Sequence, residues 1–296
     1  MRSRGISALA LFIFLLFIGQ VFGQTSYPNA HLLPEPGWLK DHLNDPQIRI
    51  VDLRSKGQYE EGHIPGAVQL DLPDVRATVG GVAGMIADAP TLEATLGGLG
   101  IDADTTVVSY DDQGGLHAAR LFWTLEHAGH RKARILNGGF QAWVEEVGEL
   151  SQETPAISPK QFVVHLDPKL VITAEEIAER LDDPGLALVD ARSPAEYDGR
   201  QLFSTRGGHV PGAVNVDWVE TLTPFENKWK GAEEVSKMYE QLGATKDKEV
   251  VAYCQTHHRG AHAYFTLRLL GYENVRGYDG SWEEWGNRDD LPIETP

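Results

Sequence analysis

The chemistry in this sequence gathers at its single cysteine. Cys254 stands in the stretch Val250-Val251-Ala252-Tyr253-Cys254-Gln255-Thr256-His257-His258-Arg259-Gly260. A short apolar run, of the kind that forms a fully buried strand, leads into it. After Gly260 the spacing of Tyr264, Leu267 and Leu270 predicts a helix. A thiol between a strand end and a helix N-terminus lies where backbone N–H groups and the helix dipole favour an anion. That setting activates a cysteine as a nucleophile, and Arg259, His257 and His258 would add to the effect. A lone cysteine after an apolar run is more often a small core hydrophobe. Here the flanking Gln, Thr, two His and Arg argue against a dry core, because each needs a partner when buried. Cys254 is therefore the candidate nucleophile.

The rest of the composition narrows the chemistry. A chain of 296 residues, 42% hydrophobic and 9% aromatic, can bury a sizeable core and suits two domains. Its formal charge of −17 repels nucleic acid and anionic lipid, so neither is expected as a partner. An anionic substrate would need a local basic pocket against that field, which makes Arg259 informative. With one Cys there is no internal disulfide and no C-x-x-C redox pair or zinc site. Adjacent His257 and His258 rarely point at one ion and no further ligand cluster accompanies them, so neither metal nor cofactor is expected.

At the N-terminus, Arg2 and Arg4 precede an apolar run from Ile6 to Ile18 and a small-residue cleavage site at Val21-Phe22-Gly23. The run is short for a membrane span, which needs about 20 residues. Residues 1–23 are expected to be a signal peptide, and the protein to be exported to the periplasm or secreted. Export also frames the unpaired cysteine, which in such a setting marks an intermolecular bridge or a reactive thiol.

The elements that must position Cys254 come in two matching sets. Ile48 to Leu53 and Thr105 to Tyr110 are predicted strands, and Leu116 to His127 a helix. Val51-Asp52-Leu53-Arg54-Ser55 returns as Val189-Asp190-Ala191-Arg192-Ser193, and Tyr59 as Tyr197. Gly62-His63-Ile64-Pro65-Gly66-Ala67 returns as Gly208-His209-Val210-Pro211-Gly212-Ala213. Asn137-Gly138-Gly139-Phe140 with Trp143 returns as Asp279-Gly280-Ser281-Trp282 with Trp285. Self-similarity on this scale means two copies of one domain, not a solenoid. Strands alternating with helical stretches predict α/β domains with mostly parallel sheets flanked by helices, whose ligands sit at the carboxyl ends of strands. The expected layout is a first copy over residues 36–150, a linker rich in Ser, Thr and Pro at 151–165, and a second copy over 166–296. Aligning the copies sets Asp111 opposite Cys254, and Asp cannot act as a sulfur nucleophile. The first copy is expected to be inactive. Asp52, Arg54, Asp190 and Arg192 occur in both copies, so a structural ion pair or turn clamp is expected of them.

The doubled Asp-x-Arg-Ser and Gly-His-(Ile/Val)-Pro-Gly-Ala signatures, the strand–Cys–loop–helix unit and the Gly-x-x-x-Trp-type endings resemble the rhodanese family. An active second copy behind an inactive first one resembles its two-domain thiosulfate sulfurtransferases, over about residues 36 to 292. The resemblance implies tandem rhodanese-like domains and sulfur transfer from thiosulfate to a thiophilic acceptor, cyanide or a thiol, through a Cys254 persulfide. It also implies a monomer working on small molecules. Family loops often read Cys-Arg-Lys-Gly-Val-Thr in thiosulfate enzymes and Cys-Gly-Ser-Gly-Val-Thr in mercaptopyruvate enzymes. The Cys-Gln-Thr-His-His-Arg loop here looks like a bacterial variant of the former, and its four residues between Cys254 and Arg259 suit a persulfide better than the longer loops of related phosphatases.

In this reading, N–H groups from Gln255 to Gly260 hold the persulfide, and Arg259 orients the donor's sulfonate. Gln255, Thr256, His257 and His258 line the same loop. The two histidines either tune the thiolate or face solvent, and both readings stand. Trp218 matches a position near the active loop in similar proteins, with core packing the alternative. A 3-mercaptopyruvate sulfurtransferase and a non-catalytic persulfide carrier remain the competing functions.

Overall fold

The computed structural model describes residues 26–296; the expected signal peptide lies outside the described residues. The first half runs α1 (Pro36–Asp41), β1 (Ile48–Asp52), α2 (Lys56–Glu61), β2 (Val68–Gln69), β3 (Arg76–Val79), β4 (Val82–Ile86), α3 (Ala89–Gly98), β5 (Thr106–Tyr110), α4 (Leu116–His127), β6 (Ala133–Ile135) and α5 (Gly139–Glu146). The second half continues with α6 (Ala174–Ala178), β7 (Leu186–Asp190), α7 (Pro194–Tyr197), β8 (Val214–Asn215), α8 (Ala232–Gln241), β9 (Glu249–Tyr253), α9 (His258–Leu269), β10 (Val275–Gly277) and α10 (Ser281–Trp285). Residues 152–167 join the halves without helix or strand.

Each half holds a four-stranded sheet, ordered β2-β1-β5-β6 in the first and β8-β7-β9-β10 in the second. All their pairings are parallel. The central strands explain this. Val107 and Val108, like Val250 and Val251, are buried on both faces, and parallel strands covered by helices on both sides read as continuous apolar runs. The exception is β3–β4, an antiparallel hairpin that belongs to neither sheet.

The repeated signatures are latches. In the first half Arg54 Nη2 donates to Asp52 Oδ2 (2.6 Å) and to the Gly62 carbonyl (2.8 Å). In the second, Arg192 Nη2 makes the same bonds to Asp190 (2.5 Å) and Gly208 (2.7 Å). Both pairs are buried. The signature histidines stack on the tyrosines, His63 on Tyr59 at 3.8 Å and His209 on Tyr197 at 3.6 Å. Their backbones each bridge to the end of their own half, His63 to Ser151 and His209 to Glu294. These motifs therefore close the fold and stand apart from the chemistry.

The two halves share one core. A single buried cluster runs from Val51 and Leu121 in the first to Val250 and Phe265 in the second. Its centre is the contact of α4 with α9, where Phe122 meets Phe265 edge to face at 4.9 Å. Neither helix keeps a wet face over most of its length, which marks helices enclosed on all sides. Some of their polar residues find partners inside: Tyr264 donates to Glu126 (2.7 Å), and Trp229 Nε1 to Thr266 Oγ1 (2.9 Å).

Breaking a buried ion pair strands a charge and costs about 3–5 kcal/mol. Arg54→Ala and Arg192→Ala are expected to lower stability by similar amounts of that order in urea denaturation. A marked effect from Arg192→Ala alone would show that the pair serves the second half's site instead.

Candidate active site

Cys254 follows the last residue of β9, at the carboxyl end of a central strand, and is 1% exposed. The helix behind it starts at His258, two residues earlier than the glycine-based expectation. His257 makes this possible by adopting a left-handed conformation, φ 56°, a region that ordinarily favours glycine. Its counterpart in the first half is Gly114, φ 67°. Helical bonding at this end begins with Ala261 N–H to the His257 carbonyl (3.2 Å). The N–H groups of the first turn, His258 to Gly260, thus have no intrahelical acceptor.

The first half shows what such a loop holds. Asp111 occupies the place of Cys254, and its carboxylate lies in its own loop. Oδ1 accepts from the N–H groups of Gln113 (2.8 Å) and Gly115 (2.9 Å). Oδ2 accepts from His117 (2.7 Å) and Ala118 (2.9 Å). One loop design therefore cradles a fixed side-chain anion in one copy and presents a thiol in the other.

The turn beyond β10 supports the thiol from below. Ser281, itself left-handed at φ 49°, accepts the Cys254 N–H on its hydroxyl (3.3 Å) and donates to the Tyr278 carbonyl (2.7 Å). Trp282 N–H donates to the Cys254 carbonyl (2.9 Å), and Glu283 N–H to that of Gln255 (2.8 Å).

Arg259 is held away from free duty as an anion receptor. It forms a bidentate pair with Glu196, Nη1–Oε2 2.6 Å and Nη2–Oε1 2.8 Å. Burial pushes the Glu196 carboxyl up, and the hydrogen bonds and charge of Arg259 outweigh it, leaving it below the usual range. Glu196 also closes the capping box of α7 with Ser193. At the same place in the first half stands Gln58, so this carboxylate is a difference between otherwise matching copies. That charge difference is the signal from which Glu196 could have been found.

Two further cations come from the first half. Arg120, on α4, pairs with Asp279 (2.7 Å) and donates to the His257 carbonyl (3.4 Å) and the Gly84 carbonyl (3.2 Å). Arg76, at the start of β3, donates to the same Gly84 carbonyl (3.2 Å). Both reach the loop from the other copy, and no spacing in the sequence announces that.

The remaining expected residues divide. Gln255 turns its amide to Ser204 Oγ (2.9 Å) and Glu283 (3.1 Å). Thr256 approaches Gly84, where an added Cβ would stand 3.3 Å from its own. Trp218 packs edge to face on His262 at 5.1 Å and against Gly114 of the first loop. His257 does not face solvent, and His258 is half-buried. His257 is fully buried against Trp123, ring centroids 4.4 Å apart, and neither ring nitrogen has a partner among the described residues. Burial, with Arg120 and His258 adding to it, pushes its pKa well down. Burial, then the charges of Arg76 and Arg120, push His258 down to about 2. Both shifts favour the neutral ring, so burial works against either histidine adding charge to the loop.

Both halves belong to the rhodanese family, as this architecture and loop require: the rhodanese-like domain matches at residues 35–146 and again at 173–288. Among curated relatives, a thiosulfate sulfurtransferase of Pseudomonas aeruginosa is 40% identical over 91% of this chain and 99% of its own. A sulfur carrier protein of Thermus thermophilus is 37% identical over 90% of this chain and 98% of its own. The anaerobic ergothioneine biosynthesis enzyme of Chlorobium limicola, crystallised with trimethyl histidine, superposes with a TM-score of 0.83 at 24% identity. That match spans 91% of this chain and 71% of the other, and at this identity it speaks for the fold alone.

The buried neutral histidines set an acid limit. Burial also pushes His262 down to about 3, whereas an unfolded histidine takes up a proton near pH 6.5. The unfolded state therefore binds more protons as pH falls through that value, and stability drops with a slope per ring that approaches about 1.4 kcal/mol per pH unit well below it. Urea denaturation between pH 6.5 and 5.0 should show this slope, reduced by one ring's share in His262→Gln. An unchanged slope in the variant would mean that His262 is not held neutral in the folded protein.

Proposed function

We propose that this protein is a thiosulfate sulfurtransferase whose nucleophile is Cys254. The observation that carries the reading is the pair of loops: the cradle that binds the Asp111 carboxylate in one half presents a thiol at the same place in the other. The thiolate attacks the outer sulfur of thiosulfate, the S–S bond of the donor breaks, and sulfite leaves with the electron pair. Cys254 then carries a persulfide anion. The N–H groups from Gln255 to Gly260 stabilise that charge as preorganised donors. A thiophile such as cyanide attacks the terminal sulfur and departs as thiocyanate, returning the thiolate. Charge is conserved in each half, and no metal or cofactor is called upon. The two halves of the cycle share one covalent intermediate, so ping-pong kinetics follow.

The family resemblance of the Cys-Gln-Thr-His-His-Arg loop supports thiosulfate over mercaptopyruvate as donor. The likeness to a sulfur carrier protein keeps a second reading in view, in which the persulfide passes to a protein acceptor. The basic and apolar start of the chain supports export to the periplasm or beyond. Among the described residues no helix is long and apolar enough to cross a membrane, and the shared core of the two halves suits a monomer.

In the thiocyanate-forming assay with thiosulfate and cyanide, wild-type protein is expected to turn over and Cys254→Ser to be inactive. Intact mass after thiosulfate alone should rise by one sulfur atom in the wild type and stay unchanged in the variant. A mass gain without turnover would favour the carrier. Neither signal would remove thiosulfate as the donor.

A further inference from the structure

Three guanidinium groups surround the Cys254 loop, and two are already matched by carboxylates. Arg259 is bidentate to Glu196, and Arg120 is paired with Asp279. Arg76 differs. Among the described residues no carboxylate lies within ion-pair distance of it, and its Nε donates to the Gly84 carbonyl that Arg120 also uses. It is only partly buried. A Cβ on Gly84 would collide with Arg76 Nη2 and stand 3.3 Å from Thr256 Cβ. The guanidinium therefore lies against the second residue after the thiol.

Its position is fixed through backbone contacts. Arg76 faces Ile86 across the β3–β4 hairpin. Ile86 N–H donates to Asp279 Oδ2 (2.8 Å), and Asp279 opens the turn whose Ser281 hydroxyl takes the Cys254 N–H. Hairpin, turn and cysteine loop are thus joined by one chain of hydrogen bonds.

We propose that Arg76, contributed by the half that lacks a nucleophile, receives the sulfonate oxygens of the donor and makes the site select a doubly charged sulfane donor. The proposal rests on thiosulfate being that donor. A guanidinium bidentate to a carboxylate has its fork occupied and its charge offset, whereas an uncommitted one presents both to an incoming oxyanion. Burial and the neighbouring Arg120 also pull the Arg76 pKa down, so an entering anion relieves a repulsion already present. In a chain of net charge −17, this is the charge that can draw a dianion inward.

Ping-pong kinetics separate the two transfers: kcat/KM for thiosulfate reports sulfur loading, and kcat/KM for cyanide reports unloading. Arg76→Gln is expected to lower the first by roughly tenfold or more, the worth of a charged hydrogen bond, and to leave the second within about twofold. Arg76→Lys should restore part of the loss. Because salt screens both the attraction of Arg76 and the repulsion of the acidic surface, added salt should lower loading in the wild type relative to Arg76→Gln. A proportional fall in both constants would mark a structural role, and no change in either would mark none; each overturns the proposal. Absence of the one-sulfur mass gain in the wild type would instead remove the thiosulfate reading beneath it.

Discussion

The buried ion pair between Arg120 and Asp279 is the constraint from which the site is built. It joins α4 of the first half to the turn after β10 in the second, at 2.7 Å, with both side chains out of water. Such a pair contributes little net stability, because desolvation offsets its attraction. What it fixes is position. Arg120 reaches the His257 carbonyl in the cysteine loop and the Gly84 carbonyl in the hairpin, while Asp279 takes the Ile86 N–H. Loop, hairpin and turn are thereby set against each other by one pair of charges. Losing either charge would leave the other buried and unmatched, a cost of about 3–5 kcal/mol concentrated at the thiol.

The pseudo-symmetry of the halves makes the specialisation readable. Each half grips a backbone N–H of the other with the residue that opens its last turn: Asn137 accepts from Trp229 (3.1 Å), Asp279 from Ile86 (2.8 Å). In the first half the gripping residue is neutral and its own loop is filled by Asp111. In the second it carries a charge, a cation comes with it, and the loop holds a thiol. The same scaffold holds a carboxylate bonded to its own loop in one half and a thiol in the other through a few substitutions at matched places.

Much of this was legible in the sequence, because repetition is visible without coordinates. The duplicated Asp-x-Arg and Gly-His signatures located both sheets, and their presence around Asp111 as well as Cys254 marked Arg54 and Arg192 as structural. Residues that act across the interface were not legible. Arg76 and Arg120 sit far from Cys254 in the chain, in the half without a cysteine, and only the packing of α4 on α9 and of the β3–β4 hairpin on the turn after β10 brings them to the loop. Arg259 was visible as a cation but its partner was not, since Glu196 doubles as an ordinary capping residue. The histidines were ambiguous for a physical reason: local sequence does not reveal that Trp123, from the other half, covers His257.

These cross-contacts bring cations of the first half to the cysteine loop of the second. An acidic chain that must admit an anion cannot rely on its overall field, so it needs cations held close to the thiol. The second half's own nearby arginine is offset by Glu196. The first half supplies the others on a buried helix of the shared core and on a half-buried hairpin packed beside it. A guanidinium held on a folded domain loses little freedom when an anion arrives, whereas one on a mobile loop would have to be ordered first. With Cys254 as the nucleophile, as proposed, the first half would serve as the wall and charge of the second half's site, through Arg120 and Arg76.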